Sequence, residues 1–103
     1  MSKISVIAKL TAVDGKGAEL EAALGDLIDA AEEEAGLEIY SVHRAHDEPG
    51  VYWFFEPYAD DDAVAVHGKG DRMRAAMGAL GGLLAARPEV IRMTPVTAKG
   101  LEL

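Results

Sequence analysis

Between residues 3 and 11 the chain alternates: Ile4, Val6, Ala8 and Leu10 are apolar, and Lys3, Ser5, Lys9 and Thr11 set them apart. A side-chain period of two predicts a strand with one face against a core. Asp14-Gly15-Lys16-Gly17 is turn chemistry. Beyond it Leu20, Ala23, Leu24, Leu27, Ile28 and Ala31 return at steps of three and four, which predicts an amphipathic helix. Its polar positions, Glu19, Glu21, Asp26, Asp29 and the run Glu32 to Glu34, are expected to be solvated, and Gly36 to end the helix as a left-handed cap. Strand character resumes over residues 37–44 through Ile39, Tyr40 and Val42. His46-Asp47-Glu48-Pro49-Gly50 then turns the chain into Val51-Tyr52-Trp53-Phe54-Phe55.

That last segment is apolar on both faces, as a strand needs to be only where both faces of its sheet are covered. Strand parity divides it into Tyr52, Phe54, Glu56 and Tyr58 on one face and Trp53 and Phe55 on the other. Asp60, Asp61 and Asp62 supply carboxylates favoured at a helix start, ahead of a short piece with Ala63, Val64, Val66 and His67. Gly68-Lys69-Gly70 interrupts it. A second piece carries Met73, Ala76, Met77, Leu80 and Leu84 before Gly81-Gly82 and Arg87-Pro88 stop it, and residues 89–97 form a last strand.

The order strand, helix, strand, strand, broken helix, strand, with two similar halves meeting near Gly50, predicts a single α+β domain over residues 1–103. The expected fold is the ferredoxin-like split βαβ, a four-stranded antiparallel sheet with helices on one face. The other face would be wet in a monomer although Trp53 and Phe55 point there, so a homodimer burying that face against a second copy is expected.

Composition narrows the partners. A formal net charge of -8 works against long-range attraction to nucleic acid or an anionic membrane surface, both of which need a basic face. The absence of cysteine removes disulfides, thiolate metal sites and a cysteine nucleophile, and fits a reducing cytoplasm. No apolar run approaches the ~20 residues that span a bilayer, and the start of the chain runs straight into the first strand pattern, so a cytoplasmic protein is expected.

The stretch Phe55-Glu56-Pro57-Tyr58-Ala59-Asp60, followed by Ala63-Val64 and His67, resembles the central signature of the antibiotic biosynthesis monooxygenase family. The segment from Gly36 to Arg44 is similar to that family's glycine-to-tyrosine strand. The resemblance spans nearly the whole chain and implies a dimeric α+β barrel. Members include cofactor-independent monooxygenases of quinols and polyketide phenols, haem-degrading enzymes and isomerases. Where many members carry a second histidine and a phenylalanine, this chain has Arg72 and Met73. It has no asparagine, and Tyr58 stands where a tryptophan is often seen, which disfavours haem cleavage.

The chemistry implied is oxidation of a small aromatic phenol or quinol by dioxygen with no cofactor. Such a reaction needs a base to form an electron-rich phenolate and a dry pocket for it. His67 is the candidate base, because an imidazole titrates near neutrality and His67 follows the stripe of Ala63 and Val64. A core histidine satisfied by a backbone carbonyl or by Glu56 is the alternative. Tyr40, Tyr52, Phe54, Glu56 and Tyr58 are candidates to line an aromatic pocket, and Arg72 to hold a phenolate or carboxylate. His43, His46 and Asp47 have loose ligand spacing with nothing to fix a further ligand, so no metal is expected. A proton-transfer enzyme such as an isomerase, or a ligand-binding dimer without turnover, stays open beside the oxygenase.

Overall fold

The computed structural model describes residues 2–103. Its elements run β1 (Ile4–Thr11), α1 (Gly17–Ala30) with a 3₁₀ turn at Ala31–Glu33, β2 (Ser41–Arg44), β3 (Val51–Tyr58), α2 (Asp61–Val66), α3 (Asp71–Gly78) and β4 (Glu89–Met93). The strands form one sheet in the order β2-β3-β1-β4, and every pairing is antiparallel. This is the expected ferredoxin-like α+β fold.

The predicted alternation sets the sheet's two faces. Ile4, Val6, Ala8 and Leu10 of β1 are buried beneath the helices, as are Leu20, Leu24, Leu27 and Ala30 of α1. The β3 parity also holds: Tyr52, Phe54, Glu56 and Tyr58 are buried on the helix side, while Trp53 and Phe55 are half-buried on the side that no helix covers. On that outer side the register aligns Ile91, Ile7 and Phe55 in one row across three strands. The next row aligns Glu89, Lys9 and Trp53, with the Lys9 ammonium 5.8 Å from the indole ring centre.

Gly36 does not cap α1 as expected. The glycines with positive φ are Gly15, Gly50, Gly68, Gly82 and Gly100, and α1 instead tightens into the 3₁₀ turn. Gly36 is small because α2 lies against it: a Cβ there would stand 2.5 Å from the Cβ of Ala63. The Gly36 carbonyl also accepts the Ala59 N–H at 2.8 Å, which fixes the chain entering α2. Asp60 starts that helix, its Oδ1 accepting the Ala63 N–H at 2.9 Å.

Two strands are shorter than their patterns. Over residues 37–40 the chain keeps beside β3 only through the Leu37–Tyr58 bridge and the Glu38 N–H to Pro57 carbonyl bond, and ladder pairing begins at Ser41. β4 ends at Met93 rather than residue 97, since Pro95 has no N–H to donate to a ladder. Among the described residues, no helix is long and apolar enough to cross a membrane.

Candidate active site

β3 supplies the floor of the site. Glu56 and Tyr58, two residues apart, share the helix-facing side, and the Tyr58 hydroxyl donates to Glu56 Oε1 at 2.7 Å. Tyr40 enters from the stretch before β2 and stacks on Phe54, with ring centres 4.7 Å apart and planes 22° from parallel. His67 stands just past the end of α2, where its backbone has left the helical region (φ -59°, ψ 129°). Its ring meets Tyr40 and Tyr58 edge-on at 5.5 and 5.6 Å.

The histidine is held by a residue from elsewhere in the chain. Glu34, one residue past the 3₁₀ turn, places Oε1 2.6 Å from His67 Nδ1 and accepts the Gly68 N–H on Oε2 at 3.2 Å. Gly68 takes a left-handed φ of 81°, which turns its N–H back toward the same carboxylate. Because a carboxylate only accepts, the bond puts a proton on Nδ1, and in the neutral imidazole Nε2 then carries the free lone pair. Nε2 lies 3.8 Å from Glu56 Oε1, beyond hydrogen-bond distance. No buried side-chain nitrogen or oxygen among the described residues lacks a partner.

Burial sets the charge states around this imidazole. It pushes the Glu56 carboxyl above its ordinary value, reinforced by the nearby Glu34 charge and opposed by the Tyr58 hydroxyl and His67. The Tyr40 phenol is driven far up by burial and then by the charges of Glu56 and Glu34. Tyr58 is raised further still, by burial and then by its bond to Glu56. Both phenols stay neutral, able to donate a hydrogen bond and unable to act as bases.

These groups open onto a cavity of about 690 Å³ between sheet and helices, within the size range of small-molecule sites. Its walls are mainly apolar, from Val6, Ala8 and Leu10 of the sheet to Leu27, Met77 and Leu80 of the helical layer. Tyr40, Phe54, Glu56, Tyr58 and His67, all expected at the site, line it together.

Two expected residues do not reach it. Tyr52 has the right parity but sits two residues before Phe54, where its hydroxyl donates to Glu21 Oε2 at 2.7 Å. Glu21 also takes a two-pronged bond from Arg44 at 2.7 and 3.0 Å, and these partners hold its carboxyl below the ordinary range. Arg72 is exposed on α3, grouped with Asp26 and Asp29 of α1, because the inward positions of that short helix are Met73 and Ala76.

Two further residues join the site outside the sequence expectation. Glu34 belongs to the run expected to be solvated, yet its side chain is only 9% exposed. A signal existed: Leu20, Leu24, Leu27, Ala31 and Glu34 continue one stripe at steps of four and three. Arg92 lines the cavity from β4 and shares its parity with Val90, which also lines it. Among the described residues, no group of three histidine, aspartate or glutamate side chains is arranged to hold a metal ion.

The comparisons with known proteins agree with this architecture. No curated protein matches the chain. A crystal structure of a candidate antibiotic biosynthesis monooxygenase from Caulobacter crescentus CB15 superposes with a TM-score of 0.86 at 34% identity, over 93% of this chain and 92% of that one. A counterpart from Chloroflexus aurantiacus gives 0.83 at 23% identity over 98% and 100%. Another from Nitrosomonas europaea gives 0.87 at 13% over 96% and 95%, and these two speak for the fold alone. The family model described as antibiotic biosynthesis monooxygenase matches residues 3–79, from the first strand through the helical layer that carries His67. By that match and the Caulobacter likeness together, the chain belongs to the antibiotic biosynthesis monooxygenase family.

Proposed function

We propose that the protein is a cofactor-independent monooxygenase that oxidises a small aromatic phenol or quinol with dioxygen, using His67 as the base. The observation that carries this reading is the tether of His67 Nδ1 to Glu34, which leaves Nε2 as an acceptor beside a largely apolar cavity. Nε2 would take the phenol proton, and the phenolate, electron-rich and shielded from water, would reduce dioxygen. The balance needs no external reductant: oxidation of the phenol to a quinone releases four electrons, which reduce both oxygen atoms, one entering the ring as the new carbonyl and the other leaving as water with the hydrogens of one ring C–H and the O–H. Tyr40 and Phe54 supply flat apolar surface for the ring, and the neutral Tyr58 hydroxyl completes the polar end.

The row Ile91, Ile7 and Phe55 on the outer sheet face, with Trp53 beside it, supports a homodimer through that face. Sedimentation of the native chain and of Ile91→Glu tests it: a native dimer weakened by the charge is expected, and a native monomer would reject it.

One observation favours a second reading. Burial raises the Glu56 carboxyl, which stands 3.8 Å from the imidazole, and two titratable groups so placed are suited to moving a proton within a substrate, as an isomerase does. Oxygen consumption separates the two. Purified protein with hydroquinones and anthrone-like phenols should take up oxygen, and His67→Ala should abolish the uptake. If neither protein exceeds buffer, the oxygenase reading fails and proton transfer without oxygen takes its place.

A further inference from the structure

The cavity has a second polar end. In the sheet register Val6 pairs with Glu56 on one side and with Arg92 on the other, so the three form a row across β3, β1 and β4. All three line the cavity. With neighbouring strands ~4.8 Å apart, the row sets the Arg92 backbone ~10 Å from that of Glu56. Between them lies only the apolar side chain of Val6, with Ala8 and Val90 forming the next row. The other ionisable groups lining the cavity, Glu56, His67 and the phenols of Tyr40 and Tyr58, gather at the far end, so among the described residues Arg92 is the one permanent cation along these walls.

The partner Arg92 holds is replaceable. Its guanidinium bonds Asp61 at the start of α2, and the two side chains are 54% and 81% exposed. An ion pair so open to water adds little to stability, so a ligand carboxylate entering from the cavity side can take the place of Asp61 at small cost. A guanidinium fork is suited to gripping a carboxylate with two parallel bonds.

We propose, resting on the reading of this cavity as a phenol site, that its substrate class is an aromatic hydroxyl compound with a carboxylate or comparable anion at the opposite end. Arg92 is then the residue that determines specificity. The hydroxyl lies at His67, the ring spans the Val6 and Ala8 rows, and the anion lies at Arg92. Asp61 competes for the guanidinium and rejects ligands too short to reach it.

Equilibrium dialysis with 6-hydroxy-2-naphthoate and 2-naphthol, which share a ring system and differ in the carboxylate, reads this without requiring turnover. The native protein should prefer the acid by about tenfold or more, and Arg92→Gln should erase that preference while holding naphthol within about twofold. Asp61→Asn, which frees the guanidinium and leaves the Asp60 cap in place, should tighten the acid alone by about threefold. The opposite direction of the two variants guards against a trivial loss of folding. Equal binding of both ligands by the native protein, or a preference that survives in Arg92→Gln, overturns the assignment of Arg92 and leaves the cavity reading intact. Binding of neither ligand overturns both.

Discussion

The contact between Gly36 and Ala63 ties the fold to the site, and Gly36→Ala tests that tie. A new Cβ would stand 2.5 Å from the Ala63 Cβ and 3.4 Å from its Cα. Ordinary carbon contacts lie at ~3.5–4.0 Å, so the two segments must separate by about 1 Å or more. Neither can slip freely, because the Gly36 carbonyl is bonded to the Ala59 N–H and α2 is capped by Asp60 one residue later. Gly36 has no positive φ, so alanine meets no backbone penalty and by itself would stabilise the protein by ~0.4–1 kcal/mol through the unfolded chain. Overpacking of this kind costs ~1–3 kcal/mol and wins, for a net loss of about 1–2 kcal/mol. In a domain of this size that lowers the thermal midpoint by on the order of 10 °C.

The displaced element is α2, and His67 stands directly after it. A shift of about 1 Å at a reacting group can cost on the order of 100-fold, so kcat/KM for oxygen uptake should fall by that order. The control is Ala63→Gly. Alone it costs about 1 kcal/mol as a glycine in a helix, but combined with Gly36→Ala it removes the clash. The double variant should therefore be more stable than the sum of the singles by about 1 kcal/mol or more and should recover most of the lost rate. Urea unfolding of the four proteins gives the cycle. An unchanged or raised midpoint for Gly36→Ala, or strictly additive singles, would refute the reasoning.

Glu34→Ala removes the partner of His67 Nδ1 and of the Gly68 N–H, and a hydrogen bond to a charged group is worth ~1.5–3 kcal/mol. kcat should drop by about 10- to 100-fold with KM little changed, Glu34→Gln should lose less, and the low-field imidazole N–H signal should vanish in the alanine variant; a retained signal would contradict the tether. For Glu56, burial holds the folded carboxyl above its ordinary value of 4.5, so the folded state binds this proton more tightly than the unfolded chain. The stability it contributes is therefore complete at low pH and is lost as pH rises through the folded value. Glu56→Gln cannot ionise and still accepts from Tyr58, so its denaturation midpoint relative to the native protein should climb as the pH rises above the ordinary value of 4.5, and a flat or falling difference would be inconsistent with a buried carboxyl. Arg72→Ala, on the exposed side of α3, should change oxygen uptake by less than about twofold and stability by no more than ~0.5 kcal/mol, and a larger loss of uptake would return Arg72 to the site.

What the sequence revealed was set by local periodicity. A period of two along β1 and β3 sorts Ile4, Val6, Ala8 and Leu10, and then Phe54, Glu56 and Tyr58, onto the buried face without knowledge of which strands pair. Steps of three and four along α1 do the same for Leu20, Leu24 and Leu27. Five of the seven expected site residues meet at the cavity because they fall on the β3 face, on the stretch before β2 that stacks against it, or next to α2. Tyr52 shows the limit of parity, which gives the face of a strand but not the distance along it, and two residues carry it to the Glu21 network instead. Arg72 has only its charge to suggest it, in a helix whose buried side is filled by Met73 and Ala76.

Glu34 and Gly36 escape local patterning for a related reason. A carboxylate at the end of an acidic run and a glycine after a helix each have a common local explanation, solvation for one and a left-handed cap for the other. Both explanations concern neighbours in the chain, whereas the partners that decide these residues, His67 and Ala63, are 33 and 27 positions further on. The stripe running from Leu20 to Glu34 already contradicted solvation, because a charge in register with buried leucines must either break the stripe or find a partner across the core. The partner it finds is a histidine whose other nitrogen opens on the cavity. The close packing at Gly36 brings α2 near enough for that bond to form, so the residue that resembles a helix terminator sets the spacing between His67 and the carboxylate that orients it.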